Sequence, residues 1–137
     1  MDAIADTGFV YAVVYPKDDA HRLASTFYLA SEDRILFPAV ALPELAFLAN
    51  RAGRNPAVVA ALRAVRGSRM LVTDLVPEDY DRAASIMEKY ADSRIDFVDA
   101  CIMALAGRLR IARILTFDRR DFGLYRPAHC EHFELLP

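Results

Sequence analysis

Ile95–Phe122 reads IDFVDACIMALAGRLRIARILTFDRRDF, and this stretch decides the fold. Val98, Ile102, Leu105 and Leu109 recur at helical spacing behind Asp96 and Asp99, which stand where such a helix begins. The apolar run RILT, Arg113–Thr116, follows as a short strand and ends at Asp118 and Asp121. In an open α/β sheet, strand C-termini and neighbouring helix N-termini share one edge, and ligands bind there. Acids therefore reach that edge from two elements, and the rest of the chain can be searched for others.

Upstream, AIAD at residues 3–6 reads as a first strand, and FVYAVVY as a short helix stopped by Pro16. Asp18 or Asp19 can cap the next helix, DAHRLASTFYLASE, whose apolar face is Leu23, Phe27 and Ala30. Ile35–Phe37 is a second strand, ended by Pro38. Residues 39–52 form a helix that tolerates Pro43 in its first turn, with Gly53 as its C-cap. Asn55-Pro56 starts another helix, which runs to Gly67, and residues 70–73 form the third strand. Pro77-Glu78-Asp79 opens a helix with acids in its first turn, which suits the helix dipole; Ala83, Ile86, Met87 and Tyr90 supply its buried side. A last strand, HFELL, closes the chain. Strands alternating with helices predict a parallel sheet covered on both faces, with right-handed crossovers.

The chain has 137 residues, of which 55% are hydrophobic, enough for one full core without disulfides. One domain spanning 1–137 is expected. Cys101 and Cys130 suggest no disulfide framework, no basic leader is visible, and the longest apolar runs are too short for a bilayer. A soluble cytoplasmic protein with no membrane association is expected. The net charge of −2 gives no global nucleic-acid signal, but its distribution is uneven. Between Glu44 and Asp74 there is no acid, while Arg51, Arg54, Arg63, Arg66 and Arg69 all fall there. Arg108, Arg110, Arg113, Arg119, Arg120 and Arg126 form a second basic group.

Four carboxylates stand out by position. Asp6 ends the first strand, Glu44 sits inside an apolar helix, Asp99 lies in a first helical turn, and Asp118 follows the fourth strand. Singly, Asp6, Asp99 and Asp118 can each be a cap or turn residue. Glu44 is harder to explain that way, because an acid within PAVALPELAFLA needs a partner or a metal. Two carboxylates about 4 Å apart repel by roughly 4 kcal/mol at an effective dielectric of about 20. A divalent cation removes that repulsion, and hard oxygen ligands favour Mg²⁺ or Mn²⁺. Such a site activates water and neutralises phosphate charge, which is the chemistry of phosphodiester hydrolysis.

With these residues assembled, the chain resembles the PIN-domain ribonucleases, and among them the VapC-type toxins of bacterial toxin–antitoxin pairs. ADTGF at 5–9, PELA at 43–46, VDACIMALA at 98–106 and ILTFDRRDF at 114–122 carry the resemblance, in order, over essentially the whole chain. It implies a three-layer α/β/α fold with five parallel strands in order 3-2-1-4-5. It implies an acidic quartet of Asp6, Glu44, Asp99 and Asp118 that binds Mg²⁺ or Mn²⁺ and hydrolyses RNA. Thr116 then matches a supporting hydroxyl and Asp121 a supporting acid, while Asp96 has no fixed counterpart and reads as a cap. The partners implied are an RNA substrate, an antitoxin and a second copy of the chain.

The arginines from 51 to 69, with Arg119 and Arg120, are candidates for an RNA-backbone surface or a docking face for an acidic peptide; a solvated helix face is the plainer reading. His129-Cys130-Glu131-His132 lacks the paired spacing of a zinc site. His21, after a turn, reads as a surface residue. An RNA-processing nuclease without an antitoxin and a non-catalytic scaffold are the competing functions. A receiver domain is rejected, because the only lysines, Lys17 and Lys89, do not supply the late lysine it requires.

Overall fold

The computed structural model describes residues 1–137. Five strands form one parallel sheet: β1 (Asp2–Ala5), β2 (Arg34–Pro38), β3 (Leu71–Thr73), β4 (Arg113–Leu115) and β5 (Glu134–Leu136). Their order is β3-β2-β1-β4-β5, as the resemblance implied. Ile4 pairs with Leu36 on one side and Ile114 on the other, so β1 is the central strand. Its residues Ala3, Ile4 and Ala5 are fully buried, and so are Ile35 and Phe37 of β2 and Ile114 and Leu115 of β4. Alanine is a poor strand former, but at the centre of a doubly covered sheet its small side chain lets a helix pack close.

The helices are α1 (Thr7–Val14), α2 (His21–Ala30), α3 (Leu42–Gly67), α4 (Pro77–Lys89), α5 (Phe97–Leu109) and the short α6 (Arg120–Leu124). α1 packs on α2 and α3, and α4 packs on α5. Right-handed crossovers put the first three on one face of the sheet and α4 and α5 on the other, because the chain reverses direction across the sheet after β3. α5 is buried without interruption from Val98 to Ala106. Its Ile102 and Leu105 are fully buried, each contributing roughly 1.5–3 kcal/mol.

Several local expectations change. β1 starts at Asp2 and stops before Asp6, which is the N-cap of α1 and accepts a hydrogen bond from its neighbour Thr7 N. α2 has no side-chain cap: Asp18 accepts from Ala20 N at 3.0 Å and so stabilises the turn before the helix. Leu23 is 56% exposed, and α2 turns Ala24 inward with Phe27 against the core. Met87 and Leu109 are likewise partly exposed, at the margins of their apolar stripes. His21 is half-buried and donates through Nδ1 to Ala12 O at 2.7 Å, tying α2 to α1. α3 is broken between residues 42–52 and 55–67, but not by a left-handed glycine. Gly53 has φ −152°, and Arg54 carries the positive φ of 63°. Glycine is needed at 53 for space, since a Cβ there would meet Ala57 Cβ at 2.9 Å. Cys101 and Cys130 are free thiols, and no helix is long and apolar enough to cross a membrane.

Candidate active site

The site is built at the C-terminal edge of β1 and β4, next to the point where the chain changes direction across the sheet. Asp6 N donates to Leu115 O at 2.9 Å, which extends the β1–β4 ladder one step past both strands and brings Asp6 beside Thr116. The Thr116 hydroxyl donates to Asp6 Oδ2 at 2.8 Å and accepts from Asp118 N at 3.0 Å. One buried hydroxyl therefore orients the acid of β1 and the turn that carries the acid of β4. Asp6 Oδ1 accepts from Thr7 N at 2.6 Å, and the Thr7 hydroxyl donates to Glu44 Oε1 at 2.7 Å. Thr7 thus links the first strand to α3, and its position directly after Asp6 was the only sequence signal for that role.

α5 approaches from the other face. Asp96 caps it by accepting from Val98 N at 3.1 Å, as its position suggested, and also lines the cleft. Asp99, one turn in, is buried. Asp121, also buried, accepts from Asp96 N at 3.3 Å and from Arg120 Nη1 at 2.6 Å, and its carboxyl lies against that of Asp99. Asp121 therefore ties its own short helix to the start of α5. Asp6, Glu44, Asp96, Asp99, Asp118 and Asp121 all line one cleft of about 910 Å³.

This arrangement is electrostatically strained. Burial pushes the Asp6 carboxyl up to about 6, with Glu44 and Asp118 adding to the rise and the hydrogen bonds from Thr116 and Thr7 opposing it. Asp99 is pushed up to about 9, first by burial, then by Asp6, Asp121 and Asp96. No three of the acids are drawn together as a ready-made metal cluster. The two threonines hold Asp6 and Glu44 to fixed partners. The donor set is entirely oxygen and rich in negative charge, which fits a hard divalent cation.

The arginines do not form one basic face. Arg51 lies over the Phe47 ring at 5.8 Å. Arg54 sits at the break in α3, and Arg63 and Arg66 are exposed on its second segment. Because α3 must return the chain to the N-terminal edge of β3, these two lie toward the edge opposite the acids. Arg69 is fully engaged there: it donates to Asp33 O at 3.1 Å and to Tyr28 O, and covers the Tyr28 ring at 4.6 Å. Arg119 donates to Pro137 O at 2.6 Å, and Arg120 to Asp121 and Ser93 O. Arg108 and Arg113 pair with Asp79 and Asp33. In the His129–His132 segment, His129 Nε2 donates to Ile111 O at 2.7 Å, and no metal cluster forms.

Sheet order, crossover pattern and an acid cleft at the strand C-termini define the class. A family model described as PIN domain matches residues 3–128, and the chain belongs to that family. Within it, the chain is 33% identical over 135 residues to ribonuclease VapC26 of Mycobacterium tuberculosis, covering 98% of this chain and 99% of that protein. The crystal structure of VapC20 of Mycobacterium tuberculosis, a sarcin-ricin loop cleaving toxin, superposes with a TM-score of 0.80 at 22% identity. It covers 89% of this chain and 93% of that one. VapBC2 of Rickettsia felis, bound to a DNA fragment from their promoter, superposes with a TM-score of 0.71 at 14% identity over all of both chains.

Proposed function

We propose that the chain is a metal-dependent endoribonuclease, the toxin of a toxin–antitoxin pair, with Asp6, Glu44, Asp99 and Asp118 as its catalytic carboxylates. The observation that carries this reading is the convergence of these four acids, from four different elements, on one cleft. The raised proton affinities of Asp6 and Asp99, caused first by burial and then by neighbouring carboxyls, are what a bound cation would relieve. The 33% identity to a ribonuclease over nearly the whole chain supports the same reaction.

Asp6, Glu44, Asp99 and Asp118 would hold Mg²⁺ or Mn²⁺, which when bound lowers the pKa of water and neutralises charge on the phosphate. The chain's own part is positioning. Thr116 fixes the Asp6 carboxylate, Thr7 fixes that of Glu44, and Asp121, itself paired with Arg120, holds the start of the helix that bears Asp99. Burial and the carboxyls of Asp6, Asp121 and Asp96 favour the protonated form of Asp99 in the free protein, and a bound cation would favour its carboxylate. Exposed Arg51 and Arg54 supply cations for the RNA backbone, and exposed Arg63 and Arg66, toward the opposite edge, supply them for an acidic stretch of an antitoxin. The matches to toxin–antitoxin complexes support an antitoxin partner, and a homodimer is what the resemblance to VapC-type toxins implies.

Incubating the purified protein with total RNA, with Mg²⁺ or Mn²⁺ and then with chelator, tests the reading. Discrete cleavage that stops on chelation and returns with metal is expected. Absence of metal-dependent cleavage would overturn it. Purification together with a small protein encoded beside this gene tests the partner.

A further inference from the structure

The cleft holds two aromatic side chains that the core leaves exposed. Phe47 is 64% exposed and Phe117 is 37% exposed, and both line the cavity beside the acids. Single exposed apolar residues need no explanation on a protein surface. Two exposed phenylalanines in a cleft where acids make up half of the lining are a different matter. Each is tied by the chain to a carboxylate: Phe47 lies one helical turn after Glu44, on the same face of α3, and Phe117 lies between Thr116 and Asp118. Each wall of the cleft therefore carries an acid with a phenyl ring beside it.

The two rings are supported differently. Phe117 stacks on Phe9, with centroids 6.2 Å apart and planes 29° apart, and fully buried Phe9 meets Phe27 edge-on at 6.1 Å. It is a platform fixed from beneath. Phe47 has the Arg51 guanidinium over its ring at 5.8 Å, so its wall combines an aromatic face with a cation. Aromatic faces with flanking positive charge are how proteins hold single-stranded nucleic acid, since every base offers a π-face and every linkage a phosphate. Bases stacked within a duplex do not present those faces.

We propose that Phe47 and Phe117 are base-stacking walls, each receiving the face of one nucleobase next to the scissile phosphate of a single-stranded RNA. This rests on the ribonuclease reading above and adds how its substrate is held. The arrangement is sequence-tolerant at the two bases, selects unpaired RNA, and places the phosphate between the rings, over the carboxylates.

The test uses a single-stranded RNA oligonucleotide cut by the wild-type protein, and the same oligonucleotide made abasic on either side of the cut. Phe47→Ala is expected to raise KM about tenfold with little change in kcat. Phe47→Leu should do the same and Phe47→Trp should restore binding. Phe117→Leu, which keeps packing on Phe9, should behave like Phe47→Leu. On the abasic RNA these differences should vanish. Stopped-flow quenching of 2-aminopurine placed at either base reads stacking before any cleavage, and should be lost in the Ala and Leu variants. Equal KM for all variants, or equal penalties on intact and abasic RNA, would overturn the proposal while leaving the nuclease reading standing. Unchanged RNA kinetics with weakened binding of a co-purified antitoxin would also overturn it, and would assign the rings to that protein. A wild-type protein that neither cuts nor quenches the probe would remove both readings.

Discussion

Asp79 and Asp99 occupy the same position, the third residue, of two helices that pack on each other, and both are buried, 2% and 8% exposed. Their surroundings are opposite. Asp79 accepts from Val76 N at 2.9 Å and from Arg108 through Nε and Nη2 at 2.9 Å each. Burial alone would raise its pKa, but the hydrogen bonds and the Arg108 charge outweigh it and hold the carboxyl below its usual range. Asp99 faces Asp6, Asp96 and Asp121 and has no cation, and it is pushed up to about 9. The fold can therefore stabilise a buried carboxylate at this position when it needs to. At Asp99 that stabilisation is withheld, and on the proposed function this is where a bound cation would take its place.

Exchanging either acid for a neutral residue should separate the two roles. Asp99→Asn is expected to lower metal-dependent RNA cleavage by more than the roughly 100-fold that losing an outer partner of a metal site costs, while Asp79→Asn cleaves within a few-fold of wild type. Stability should move the other way. Asp79→Ala removes a cap and a buried ion pair and should cost about 2 kcal/mol in urea titration, discounted because Arg108 is partly exposed. Asp99→Asn, without divalent ions, should raise Tm by about 5 °C.

The pH dependence sharpens the contrast. For Asp99 the folded state binds more protons than the unfolded state between 3.8 and about 9, so its contribution makes stability fall as pH rises through that window. For Asp79, whose folded pKa is lowered, stability is present above 3.8 and is lost as pH falls below it. Tm measured against pH should therefore decline less steeply on the alkaline side in Asp99→Asn and less steeply on the acid side in Asp79→Asn. A smaller loss of cleavage than at Asp99 is expected at Thr116→Val, which removes the hydroxyl between Asp6 and Asp118 and should lower cleavage about 10- to 100-fold with the fold retained.

The resemblance made strand order and the four acids legible, because each acid sits at a fixed place relative to a strand end or helix start. The sequence could not show which charges cancel. Arg108 and Asp79 are 29 residues apart and meet only because α4 packs on α5. Arg69 and Arg120 read as free cations until backbone carbonyls from other elements reach them. The Thr7–Glu44 hydrogen bond spans 37 residues, and the cleft faces of Phe47 and Phe117 depend on how α1 and α3 pack. Leu23 follows helical spacing as well as Phe27 does, and only the position of α1 decides which of them is covered.

Calorimetric titration of Mn²⁺ into the free protein at pH 7, in two buffers of different ionisation enthalpy, tests the proposed carboxylate site most directly. Binding should release about one proton, from Asp99, and both the binding and the proton release should be lost in Asp99→Asn but kept in Asp79→Asn. Equal Mn²⁺ affinity in wild type and Asp99→Asn, or binding with no proton release, would contradict it.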